Sequence, residues 1–124
     1  MPDLTVALSE ELSRGDLVDL CDATEEAIRD GIGFGWVRPP SHQRLEAYWK
    51  GVLLVPERDL FIGRLDGTVG GSIQLLKPAP NFEAGLFSAS IDTHFVVPWA
   101  RGHGLAKMLL EAAEQGAKEA ELSV

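Results

Sequence analysis

The chain has one cysteine, one tyrosine and only eleven Lys and Arg against nineteen Asp and Glu in 124 residues. With Cys21 alone there is no internal disulfide framework. Cys21 falls within a helical pattern and reads as a small buried apolar group rather than a nucleophile. The shortage of basic residues gives a net charge of −8 and a pI near 4.7. That balance argues against nonspecific binding to nucleic acid or to an anionic membrane. It suits a cationic substrate such as an amine, and equally a protein that is acidic only for solubility. No apolar run approaches a membrane span, and Met1-Pro2-Asp3 lacks the basic and apolar regions of a signal peptide. We therefore expect a cytoplasmic protein, with neither nucleic acid nor membrane as partner. Internal repeats, low-complexity tracts and linkers are also missing. With 45% hydrophobic and 24% charged residues, the composition is that of one globular domain over residues 1–124.

What is present alternates between strand and helix signals. Leu4-Thr5-Val6-Ala7-Leu8 is β-prone. Ser9 or Ser13 then caps a helix whose Leu17, Leu20, Cys21, Thr24 and Ala27/Ile28 recur at helical spacing through Arg29. Gly31, Gly33 and Gly35 end it in a loop with Phe34 and Trp36, which either shape a pocket or cover the core. After Pro39-Pro40, Ser41 caps a second helix running to about Leu54. Asp66-Gly67 lies between two apolar runs, Asp59 to Leu65 and Thr68 to Leu76, and predicts a tight hairpin. Lys77 to Gly85 is a loop in which Glu83 reads as a solvated charge. Leu86 to Val97 predicts a long strand. Strict alternation places Ile91, Thr93, Phe95 and Val97 on one of its faces and Ser90, Asp92, His94 and Val96 on the other. A helix follows from His103 to about Lys118, and Leu122-Ser123-Val124 begins another strand.

The junction Val96-Val97-Pro98-Trp99-Ala100-Arg101-Gly102-His103-Gly104-Leu105-Ala106 is the most informative stretch. A β-branched run stops at proline, then a basic glycine-containing turn opens a strongly amphipathic helix. Two glycines permit a tight bend and close approach of the backbone to a ligand. Unpaired N–H groups at the helix start suit phosphate oxygens, and the Arg101 guanidinium can pair with a phosphate through two N–H groups. A P-loop would need Gly-Lys-Ser/Thr here. A dinucleotide fingerprint would need a third glycine where Lys107 stands and an acidic partner about twenty residues later. Neither is present.

Arg101-Gly102-His103-Gly104-Leu105-Ala106 resembles the Arg/Gln-x-x-Gly-x-Gly/Ala signature of the Gcn5-related N-acetyltransferases (GNAT). Phe95-Val96-Val97-Pro98 before it and Met108-Leu109-Leu110-Glu111-Ala112-Ala113 after it resemble the same family. The resemblance implies an α/β fold with a mixed, mostly antiparallel sheet flanked by helices, in the order β-α-α-β-β-β-α-(start of β). Before residue 59 the match is one of topology alone. It also implies acetyl-CoA as cosubstrate, no metal, and transfer of the acetyl group to a primary amine by direct attack. Arg101, Gly102, His103, Gly104, Leu105 and Ala106 would hold the pyrophosphate, and backbone atoms of Phe95, Val96 and Val97 would meet the pantetheine arm. N–H groups near Val96 or Val97, freed by an irregularity before Pro98, would serve the thioester oxygen or pantetheine. His103 would contact phosphate rather than act in acid–base chemistry.

Two catalytic candidates remain, Asp92 and His94, read as neighbours on one strand face. They are either the acceptor of the amine proton or a solvated polar face. As a metal site the pair has too few ligands. Trp99 is expected to pack on a helix or on the cofactor. The resemblance also implies elements beyond Val124, so the domain is expected to be incomplete at its C-terminus. The family's tyrosine or serine acid then has no counterpart, because Tyr48 lies on the second helix. An open sheet edge predicts a homodimer or cover by another chain. The rival reading is a catalytically incomplete CoA-binding or protein-interaction module.

Overall fold

Ser13 and Ser41 set the starts of the first two helices. Each is extended, and each hydroxyl accepts a backbone N–H three residues on, from Asp16 at 3.1 Å and from Arg44 at 3.3 Å. Of the two serines offered for the first helix, Ser13 is therefore the cap. The computed structural model describes residues 3–30, 40–77 and 90–119, with only the backbone for Ser90, Asp92 and Thr93. Its elements run β1 (Leu4–Ser9), α1 (Arg14–Arg29), α2 (His42–Leu53), β2 (Arg58–Leu65), β3 (Thr68–Leu76), β4 (Ser90–Val96), a 3-10 turn (Pro98–Ala100) and α3 (Leu105–Glu119). This is the expected order. The loop from Gly31 to Pro39, Glu83 and the strand start at Leu122-Ser123-Val124 lie outside the described residues.

The four strands form one antiparallel sheet in the order β1-β2-β3-β4. Asp66 and Gly67, at φ 52° and 84°, make the turn between β2 and β3. Both central residues lie in the left-handed region, as a two-residue hairpin of this kind requires.

Successive residues of β2 address opposite layers. Gly63 faces Leu105 of α3, whereas the Arg64 guanidinium reaches Asp16 of α1 at 2.9 Å. On β3, Gln74 donates to the Tyr48 hydroxyl of α2 at 3.0 Å, and Leu75 meets Gly116 of α3. So α1 and α2 cover one face and α3 the other.

Leu105, Leu109, Ala113 and Ala117 give α3 its buried stripe. At Leu109, fully buried, truncation to alanine would cost about 2–5 kcal/mol. Gly71 lets β3 and β4 approach there, since a Cβ would press on the Phe95 carbonyl. On the other face the Trp49 indole is fully buried and donates to Thr24 Oγ1 at 3.0 Å. Cys21 is fully buried as well; burial first, then Glu46 and Asp22, push its thiol up to about 11. That confirms the apolar reading, since the reactive thiolate is suppressed.

Candidate functional site

The ladder between β3 and β4 shifts register once. Ser72 pairs with Phe95, but Gln74 pairs with Asp92, so Thr93 and His94 together oppose Ile73. This bulge breaks the alternation on which the sequence placed Asp92 and His94 together. Asp92 stands at the register position of Gln74. His94 lies on the α3 side, where its Nε2 is 3.2 Å from the Ala106 carbonyl. A carbonyl only accepts, so this bond places the proton on Nε2 and leaves Nδ1 as the basic nitrogen. The expectation of strict alternation along this strand is thus corrected.

The irregularity therefore falls at Thr93/His94, earlier than the one expected beside Pro98. Val97 is not freed: its N–H donates to the Gly70 carbonyl at 2.8 Å. Gly70 is itself the extra residue of a second bulge, since Gly63 pairs with Gly71 and Arg64 with Val69. In an antiparallel ladder alternate residues turn their backbone groups toward the partner strand. With Phe95 and Val97 facing β3, Val96 turns its N–H and carbonyl toward the opposite edge. Among the described residues no strand lies on that edge.

Beyond Val97, proline fixes the first position of the 3-10 turn, and Ala100 is buried at its end. Gly102 and Gly104 follow at φ 84° and 87°, with open space where a Cβ would stand. The conformation rather than crowding demands glycine at both. The Met108 N–H donates to the Gly104 carbonyl at 3.1 Å and starts α3, two residues later than the sequence pattern implied. Glycine has no side chain to cap with. Leu105, Ala106 and Lys107 thus present N–H groups that have no intrahelical acceptor. The first turn holds no acidic residue, and His103 is exposed beside it. A glycine turn, N–H donors and the positive helix end are the features that suit an anion.

Arg101 does something the sequence could not reveal. Its Nε donates to the Val96 carbonyl at 3.0 Å, and its Nη2 pairs with Asp30 Oδ2 at 2.6 Å. The guanidinium is folded back over the strand end, with one outer edge left toward solvent. Trp99, which the sequence left between helix and cofactor, donates its indole N–H to Glu26 of α1 at 3.0 Å and stays half exposed. Sequence reasoning also missed the polar chain under α2, in which Arg58 Nη1 donates to Gln74 Oε1 at 2.6 Å and Gln74 donates to Tyr48. The Tyr48 hydroxyl is thereby turned toward the sheet. Among the described residues no cluster of His, Cys, Asp or Glu could hold a metal ion.

Comparison with known proteins agrees with this geometry. Residues 20–124 match the Acetyltransferase (GNAT) family. An uncharacterized N-acetyltransferase from the hisH-hisA intergenic region of Azospirillum brasilense is 56% identical over 118 residues, covering 95% of this chain and 70% of the relative. Among solved structures, an N-acetyltransferase from Staphylococcus aureus Mu50 superposes with a TM-score of 0.71 at 20% identity, over 95% of this chain and 68% of that one. A Salmonella typhimurium protein solved with its cofactor acetyl-CoA superposes with a TM-score of 0.68 at 16% identity, over 96% and 65% of the two chains. The strand-to-helix junction, the order of elements and the family match agree, and the chain belongs to the GNAT family of acetyltransferases.

Proposed function

We propose that this chain binds acetyl-CoA and transfers its acetyl group to a primary amine. The observation that carries the reading is the start of α3 at Gly104, which has no side chain to cap it, reached through two left-handed glycines from the edge of β4 that no described strand covers. The residues present fit the cofactor. N–H groups of the turn and of Leu105 to Lys107 suit a pyrophosphate, no carboxylate opposes it in the first turn, and the free outer edge of Arg101 adds positive charge. Of Phe95 to Val97, Val96 alone turns its backbone away from β3, toward the acyl-pantetheine arm.

Bound acetyl-CoA would supply an activated thioester carbonyl. The amine nitrogen would bond to that carbon, the carbon–sulfur bond would break, and the sulfur would leave with the electron pair and take up the proton that the new amide nitrogen sheds. The protein's part is to align the two reactants and to stabilise charge on the carbonyl oxygen. The Val96 N–H, directed at the open edge, suits that oxygen. Asp92 and His94 are the candidates for removing the ammonium proton, His94 through Nδ1. His94 is half tethered by Ala106, which fixes its ring without consuming that nitrogen.

A thermal melt with and without acetyl-CoA tests the reading. Ligand at about a hundredfold excess over its dissociation constant stabilises by about 2.7 kcal/mol, a rise of several degrees for a chain this size. Pantetheine, which lacks the pyrophosphate, should give little shift at the same concentration. Equal shifts, or none with either compound, would remove the phosphate cradle from the proposal.

A further inference from the structure

The end of α1 is fastened to the turn at two points. Glu26 and Asp30 are four residues apart and so lie on one helical face, a turn from each other. Their partners Trp99 and Arg101 flank Ala100, which is wholly buried. Three consecutive residues of the junction are thereby pinned, two to α1 and one to the core. Asp30 is also the C-cap of α1, where a carboxylate meets the negative end of the helix dipole. A cation at that spot offsets the repulsion, and Arg101 supplies it.

The consequence lies at Val96. A strand edge ordinarily shows a donor and an acceptor side by side. Here Nε of Arg101 already occupies the Val96 carbonyl. What the edge then offers at this residue is the N–H, beside a guanidinium. Such an edge favours a ligand that brings a carbonyl oxygen and disfavours one that brings a donor. Asp30 holds the guanidinium in that place: a planar fork with one N–H on a carbonyl and another on a carboxylate has little rotational freedom left.

We infer that Asp30 is a positioning residue for the acyl carrier: acting through Arg101, it leaves the β4 edge with a donor alone at Val96 and fixes the approach to the phosphate turn. This rests on the reading of the site as an acetyl-CoA site. The two side chains are 45% and 39% exposed, and exposed pairs add little to global stability. Its effect should therefore appear in binding rather than in melting. The direction also separates two roles. If Asp30 merely drained charge from Arg101, removing it would tighten the binding of an anion. If Asp30 positions Arg101, removing it weakens binding.

The test is titration calorimetry with acetyl-CoA on the wild type, Asp30→Asn, Arg101→Gln and the double variant, with Asp19→Asn as a charge control on the same helix. The expected result is binding weakened about fivefold or more by Asp30→Asn, equivalent to ~1 kcal/mol. The ligand-free melting temperature should be nearly unchanged. The double variant should be no weaker than Arg101→Gln alone, because both changes break one unit. Asp19→Asn should leave binding unchanged or slightly tighter. Wild-type affinity or tighter binding in Asp30→Asn overturns the inference while the acetyl-CoA reading stands, as does strict additivity in the double variant. Absence of binding by the wild type overturns both, and is told apart by the first titration alone.

Discussion

Helices α2 and α3 begin in opposite ways. At α2, Ser41 is extended and its hydroxyl closes the first turn on Arg44, as Ser13 does for α1 on Asp16. At α3 the residue in the same place is Gly104, left-handed and without a side chain. The first two starts are completed by a side chain of their own; the third has none, and in the reading proposed above a ligand takes that place. Helix termini carry the same unmet donors wherever they occur, so a missing cap is informative when the rest of the helix is well packed. Here α3 has a fully buried stripe and needs no ligand to hold it on the sheet.

The largest effect should come from forcing the open start out of shape. Gly104→Val places a β-branched residue at φ 87°, a conformation costing roughly 1–3 kcal/mol for a residue with a Cβ. The melting temperature should fall, and the rise induced by acetyl-CoA should vanish. A full ligand-induced rise in this variant would mean that the turn is not where the anion binds.

Closing the comparison from the other side, Ser41→Ala removes a cap that binds nothing but its own helix. The expected loss is about 1 kcal/mol, a fall of several degrees in the melting temperature. The acetyl-CoA-induced rise should match that of the wild type. Should Ser41→Ala abolish the ligand response as well, the distinction between closed and open starts would collapse.

The parts of this arrangement that depend on local backbone chemistry were legible in the sequence. Asp66-Gly67 announced its hairpin because both residues must adopt positive φ, and Ser41 announced its helix through a hydroxyl three residues from the N–H it bonds. Gly102 and Gly104 pointed to the turn for the same kind of reason. What could not be read depends on elements meeting from far along the chain. The bulge at Thr93/His94 is a property of how β4 aligns with β3, and it breaks the simple alternation by which the sequence joined Asp92 and His94. The paired glycines at 70 and 71 were a usable hint of the bulge in β3. Arg101 looked like a free phosphate ligand because its partner Asp30 is 71 residues away. Gln74 sat unnoticed in an apolar run, yet it is wholly buried and bonded at both ends of its amide.

Acid should sharpen the same contrast, with the smallest effect. Besides its Ser41 cap, the start of α2 has a tie to α1: His42 Nε2 lies 2.9 Å from Glu25 Oε2, and Arg29 donates to Glu25 Oε1 at 2.9 Å. The Arg29 bond first, and then the His42 bond, hold the Glu25 carboxyl below its ordinary value of 4.5. A carboxyl depressed in the folded state contributes stability that is present above its unfolded value and is lost as pH falls through the folded one. The melting temperatures of the wild type and Glu25→Gln should therefore differ near neutral pH and converge as the pH falls below 4.5 and on through the depressed folded-state value. No acidic residue stands in the first turn of α3, so its start has no such group to lose. Amide exchange measured across that range should quicken at Arg44 and Leu45 while Met108 and Leu109 hold their protection. Parallel loosening of both helices would mean that acid weakens the protein as a whole, and that the Glu25 cluster does not distinguish the closed start from the open one.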